Sequence, residues 1–80
     1  MSISFGIRVV DDDGSPHEGR KVHISIRGWT RGWLEEFTDD AGWVTFETED
    51  GSSCTFSLTV SGEDMGEFTL ENGETMSVTY

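Results

Sequence analysis

Three stretches of this chain alternate apolar and polar residues with a period of two, and that pattern limits the fold more than anything else in the sequence. In "ISFGIRVV", Ile3, Phe5, Ile7 and Val9 alternate with Ser4, Gly6 and Arg8. In "KVHISIR", Val22, Ile24 and Ile26 alternate with Lys21, His23, Ser25 and Arg27, and in "CTFSLTV", Cys54, Phe56, Leu58 and Val60 alternate with Thr55, Ser57 and Thr59. Such a period belongs to strands with one dry face and one wet face. No stretch of similar length has helical spacing, and alanine occurs once. Valine, threonine and aromatic residues are plentiful, which also favours sheet.

Turn chemistry punctuates these runs. "DDDGSPHEG", "TDDAGW", "EDGSS", "SGEDMG" and "ENGE" separate them. Asp, Asn and Gly suit such places because they tolerate positive φ and because Asx side chains bond nearby backbone amides. Seven strands are predicted, at about 3–10, 20–27, 33–38, 43–48, 54–61, 66–70 and 75–80. Seven short strands with regular turns predict one domain, residues 1–80, built as a small antiparallel β-sandwich. A chain of 80 residues buries only about 60% of its unfolded surface, so the core is thin. The predicted core is Ile3, Phe5, Ile7, Val9, Val22, Ile24, Ile26, Phe37, Val44, Phe46, Phe56, Leu58, Val60, Phe68, Leu70, Met76 and Val78. Cys54 and Tyr80 lie in phase with it at strand ends. This set uses almost every aliphatic residue and leaves three tryptophans unassigned.

The motifs "VVDDDGSPHEGRKVHISI", "FTDDAGWVTF" and "FSLTVSG" resemble the carboxypeptidase regulatory-like and transthyretin-like β-sandwich family, with its bacterial Ig-like relatives. The shared pattern is Asp13, Gly14, Pro16, Gly19 and Val22, then Thr38, Asp39, Gly42, Val44 and Phe46. It spans roughly Phe5 to Gly62. The resemblance implies an Ig-like, transthyretin-like sandwich serving as a non-catalytic accessory or binding domain, with no catalytic residues to carry over. Domains of that family usually belong to larger, often exported chains, whereas no apolar run here suits a signal peptide or a membrane span. The expectation is a cytoplasmic protein, with an excised domain of an exported parent as the alternative.

Charge narrows the function further. The net charge is −11, from sixteen acids and five bases. Four of the bases, Arg20, Lys21, Arg27 and Arg31, fall in a segment without acids, between Gly19 and Leu34. The acid excess argues against direct nucleic-acid binding, because phosphates repel it, and against anionic membrane surfaces. It favours solubility or a partner with a basic face.

Catalytic and metal-binding patterns are weak. One cysteine, Cys54, gives no zinc spacing and no internal disulfide, and its phase places it inside. His17 and His23 are the two histidines. Neither forms a recognisable constellation with a nucleophile. Glu35 and Glu36 point to opposite faces of a strand, which is wrong for a shared acid–base site. The acid runs at Asp11–Asp13, Asp39–Asp40 and Glu49–Asp50 lie in turns. They match no full calcium loop, which needs six to eight converging oxygens. The expectation is therefore no enzyme, no metal and no cofactor.

The tryptophans and the cations are left. "IRGWTRGW", residues 26–33, holds two of the three tryptophans. Trp29 lies in a glycine-flanked loop. Trp43 faces outward if Val44 and Phe46 face inward. Trp33 is in phase with Phe37 and suits either a cap on the core or a contact surface. Tryptophan and arginine are enriched in binding hot spots, so the predicted binding residues are Arg27, Trp29, Arg31, Trp33 and Trp43. Their expected partner is a protein, met through this patch, through an edge strand, or through both. The same edges allow self-association. Three alternatives stay open: an acidic inhibitor, of phage or mobile-element type, that covers a basic nucleic-acid-binding surface; a soluble halophile domain; and a carbohydrate-binding module.

Overall fold

A computed structural model describes residues 3–26, 32–48 and 53–80. Within them run seven strands and no helix: β1 (Ile3–Val10), β2 (Lys21–Ile26), β3 (Trp33–Phe37), β4 (Trp43–Thr48), β5 (Ser53–Val60), β6 (Glu63–Glu71) and β7 (Thr75–Thr79). They form two sheets. One has three strands in the order β4-β1-β7, and the other has four in the order β3-β2-β5-β6. Among the described residues no helix is long and apolar enough to cross a membrane.

The alternating residues fill the space between the sheets. Ile3, Phe5, Ile7 and Val9 of β1 are buried, as are Val22, Ile24 and Ile26 of β2 and Cys54, Phe56, Leu58 and Val60 of β5. The sheets meet through aromatic contacts. Phe5 stacks on Phe56 with ring centroids 5.2 Å apart and planes 5° apart, and Phe46 and Phe68 pack at 6.0 and 6.3 Å on either side. Leu34, Met65, Phe68, Met76 and Tyr80 are half-buried against this cluster.

The expectation of purely antiparallel pairing is corrected in the three-stranded sheet. β1 pairs with β4 antiparallel and with β7 parallel. Parity explains the difference. If every connection reverses the chain, strands separated by an odd number of connections run antiparallel and those separated by an even number run parallel. β2/β3 and β5/β6 are one connection apart, while β1/β4 and β2/β5 are three apart, and all four pairs are antiparallel. β1 and β7 are six connections apart, so they pair in parallel.

Two further corrections concern phase. Phe37, expected in the core, is 63% exposed. In "WLEEF" the larger apolar count sits on Trp33 and Phe37, but the register with β2 decides the matter. Leu34 lies opposite inward-facing Ile24, so Trp33 and Phe37 lie opposite outward-facing Ser25 and Lys21. β6 begins at Glu63 rather than near residue 66. Its pairing with β5 shifts at Leu58/Thr59, leaving Met65 as an extra residue between Asp64 and Gly66. This bulge keeps Met65 against the core and restores the phase for Phe68 and Leu70. Ser61 and Gly62 form the preceding hairpin turn, both with positive φ (50° and 88°), as a two-residue type I′ turn requires.

Most of the Asp-rich turns are closed by their own carboxylates. Asp11 Oδ1 accepts the amides of Asp13 and Ser15, and Asp39 Oδ1 accepts those of Ala41 and Trp43. Buried Thr38 ties two loops together: its hydroxyl donates to the His17 carbonyl and accepts the Arg20 amide at 2.8 Å.

Candidate functional site

The outer face of the four-stranded sheet carries the largest exposed apolar side chains of the described residues, Trp33 at 56% and Phe37 at 63%. Both belong to β3, an edge strand. The register with β2 places Ser25 beside Trp33, His23 beside Glu35 and Lys21 beside Phe37 on this face. The His23 ring stacks on the Trp33 indole with centroids 5.4 Å apart and planes 12° apart. Glu35 joins the row from the other side: its Oε2 lies 3.5 Å from His23 Nδ1 and 3.8 Å from Lys21 Nζ. The result is a flat strip in which Trp33, His23, Glu35 and Lys21 hold one another in place, with Phe37 at its end. Inward-facing Glu36, opposite Val22, puts a charge on the edge itself, which discourages indiscriminate strand pairing there.

Toward the sheet's far side the face becomes hydroxylic, then acidic. Thr59 and Ser57 follow His23 and Ser25 across the β2/β5 pairing. Thr55 and Thr69 share a hydrogen bond of 2.9 Å between their hydroxyls. β6 brings Asp64, Glu67 and Glu71, opposite Thr59, Ser57 and Ser53.

Of the predicted binding residues, Arg27, Trp29 and Arg31 lie outside the described residues. The segment that holds them leaves β2 at Ile26 and rejoins at Gly32, where the Ile26 amide donates to the Gly32 carbonyl. It is therefore joined to the Trp33 end of the strip. Trp43 lies elsewhere. It pairs with Arg8 in the three-stranded sheet, and the structure does not bring it onto the face that carries Trp33.

Trp43 instead lines a second feature on the opposite side of the molecule. Its benzo ring lies over Gly6, where an added Cβ would sit 3.3 Å from Trp43 Cζ3 and 3.3 Å from Thr75 Cγ2. The missing side chain leaves a shallow groove of about 360 Å³, lined by Ser4, Phe5, Gly6, Trp43, Thr45, Gly73, Glu74 and Thr75. The Arg8 guanidinium lies 5.9 Å from the Trp43 ring, and its Nε donates to the Ala41 carbonyl at 3.2 Å.

His17 is used structurally. Its Nε2 lies 3.2 Å from the Tyr80 main-chain oxygen, its ring meets the Tyr80 ring edge-on, and Arg20 covers the same phenol ring at 5.6 Å. This cluster fastens the end of β7. Among the described residues no group of three or more His, Cys, Asp or Glu side chains could hold a metal ion.

Sequence reasoning missed Phe37 as a surface residue, and missed Lys21, His23 and Glu35 as the neighbours of Trp33. The signal was present in the alternation of β2. Once Val22, Ile24 and Ile26 face inward, any partner strand must turn the residues opposite Lys21, His23 and Ser25 outward. The Gly6 groove carried no such signal, because it depends on which strand lies beside β1. The chain matches no protein-family model and no curated protein.

Proposed function

We propose that this chain is a non-catalytic protein-binding module whose contact surface is the β3 strip. The observation that carries the reading is the exposure of Trp33 and Phe37 on one face of an edge strand, at the two ends of the row. Large aromatics clustered on a surface mark interaction sites more often than scattered apolar residues do, and buried-on-binding tryptophans dominate interface energetics. The His23 ring, itself in contact with Glu35, stacks on the Trp33 indole before binding, which lowers the ordering cost of association. Arg27, Trp29 and Arg31, which precede Trp33 in the sequence, belong to the same contact segment in this reading. The acids elsewhere keep the molecule soluble and direct it away from nucleic acid and anionic membranes.

The family type belongs to the same proposal. Asp13 and Gly14 of the motif fall in a turn closed by Asp11, and Thr38, Asp39 and Gly42 in one closed by Asp39; with the all-β two-sheet architecture, this supports a resemblance to the carboxypeptidase regulatory-like and transthyretin-like sandwiches with their Ig-like relatives.

The test is co-precipitation from the native host with the wild type, Trp33→Ala and Phe37→Ala, each washed at low and high salt. Loss of the same partner from both variants, with retention by the wild type at high salt, is the expected result. If both variants recover that partner as the wild type does, the strip is not the contact surface. Capture that ignores both substitutions but vanishes at high salt would instead favour an acidic mimic that occupies a basic nucleic-acid-binding surface.

A further inference from the structure

The sheet edges of this molecule differ in charge. β3 carries Glu35 and Glu36, β6 carries Glu63, Asp64, Glu67 and Glu71, and β4 carries Glu47. β7, with the sequence TMSVT, carries no charge at all. Charged side chains are a usual defence of exposed edges, so β7 is the undefended one in a strongly acidic chain. Its inner side is bonded to β1, from the Gly6 amide on the Glu74 carbonyl to the Tyr80 amide on the Val10 carbonyl. In parallel pairing, alternate residues serve opposite sides of a strand. Met76 and Val78 therefore face β1, while Thr75, Ser77 and Thr79 turn their amides and carbonyls outward. No described strand pairs with that side.

The groove over Gly6 opens at the head of the same edge, with Thr75 and Glu74 in its wall. One oxygen of Glu74 accepts the Glu71 amide at 2.7 Å, which fixes the carboxylate and leaves the other oxygen for a cation. The opposite wall is the Trp43 indole, which already carries the Arg8 guanidinium on its Ser77 side. We propose that the β7 edge accepts an extended segment of a basic partner protein as an added strand, anchored by one Arg or Lys side chain laid over Thr75 into the groove between Trp43 and Glu74.

Reach and charge select this occupant. Strands lie about 4.8 Å apart, so an added strand runs roughly 10 Å from β1, and Arg and Lys are the side chains long enough to come over Gly6. Glu71 and Glu74 stand at the Thr75 end of β7, whereas Arg20 stands over Tyr80 at the other end. The basic residue thus belongs at the Thr75 end. A second copy of the chain brings no charge on its own β7 and adds another −11 to the complex, so mutual repulsion opposes pairing between copies. This surface is separate from the β3 strip, and either can fail without the other.

The experiment uses the full chain, labelled with 15N, and a ten-residue capped peptide of alternating Thr and Val with one central Arg. Alternate amides of the peptide are N-methylated so that only one edge can pair. Shifts are expected at the amides of Gly6, Thr75, Ser77 and Thr79 and at the Trp43 indole, with slowed hydrogen exchange at Thr75, Ser77 and Thr79. Replacing the peptide Arg by citrulline should weaken binding roughly three- to thirtyfold at low salt, the sum of a cation–π contact and a surface ion pair. Glu74→Gln, which keeps the acceptor for the Glu71 amide, should produce the ion-pair part of that loss. N-methylating the remaining amides as well, so that neither edge can pair, should abolish binding. Absence of binding, shifts confined to Trp33 and Phe37, or equal affinity for the citrulline peptide would overturn the proposal. Concentration-dependent shifts at Thr75, Ser77 and Thr79 without peptide would overturn it in favour of self-pairing.

Discussion

Gly42 and Gly62 offer a matched pair for testing how tightly the loops are set against β1. Both have positive φ, 80° and 88°. At Gly62 an added Cβ meets nothing within 4 Å, whereas at Gly42 it would lie 2.6 Å from the Val9 carbonyl oxygen and 3.1 Å from Pro16 Cβ. Gly62→Ala therefore carries only the left-handed strain, about 1–2 kcal/mol, less about 0.4–1 kcal/mol regained from a stiffer unfolded chain. Its net cost is about 1 kcal/mol. Gly42→Ala carries the same strain and must also push the 39–43 turn away from β1. That movement strains the bond from the Val9 amide to the Gly42 carbonyl (2.8 Å) and the bond from the His17 amide to the Val9 carbonyl (2.9 Å). Two hydrogen bonds at about 0.5–1.5 kcal/mol each bring the total to about 2–4 kcal/mol. A domain of this size has roughly 4–12 kcal/mol in all. Urea unfolding followed by tryptophan fluorescence, with thermal melts in parallel, gives both values. Gly42→Ala should melt roughly 4–24 °C below Gly62→Ala, for a difference of about 1–3 kcal/mol at about 4–8 °C per kcal/mol. Equal costs for the two substitutions would refute the close approach of the turn to Val9.

Two other outcomes follow from the core. Phe56 is fully buried between Phe5 and Phe68, so Phe56→Ala should cost about 3–5 kcal/mol, read as a fall in urea midpoint without a change in slope. The Cys54 thiol is 5% exposed, so a water-soluble disulfide reagent should label it only as fast as the chain opens, and labelling should accelerate in Phe56→Ala. Rapid labelling of the native wild type would contradict the burial of β5.

The legible part of this fold was the part governed by alternation alone. β1, β2 and β5 announce their buried faces because each repeats the period three or four times, and their centres sit where that period places them. β3 did not, because five residues hold too few repeats to fix a phase. Trp33 and Phe37 outnumber Leu34 on paper, yet pairing with β2 turns Leu34 inward. β6 was found late because the bulge at Met65 breaks its alternation. The candidate surface was half legible. Trp33 and Trp43 are both outward-facing, but which of two sheets each belongs to is set by strand order, and strand order leaves no local mark in the sequence. The parallel β1/β7 pair was recoverable by counting reversals, once those two strands are taken as neighbours.

That pair has a mechanical consequence. β1 enters the sheet at one end of the molecule, and β7, running in the same direction, leaves at the other. A pull applied to the two ends of the domain therefore loads the five facing residue pairs from Gly6/Thr75 to Val10/Thr79 along the strand axis, all at once. Bonds arranged in this way are sheared together, whereas a hairpin pulled from its open end is peeled one bond at a time. Held in a chain under tension, this small domain would yield at a higher force than its modest core suggests, and the element that resists would be its first and last strands.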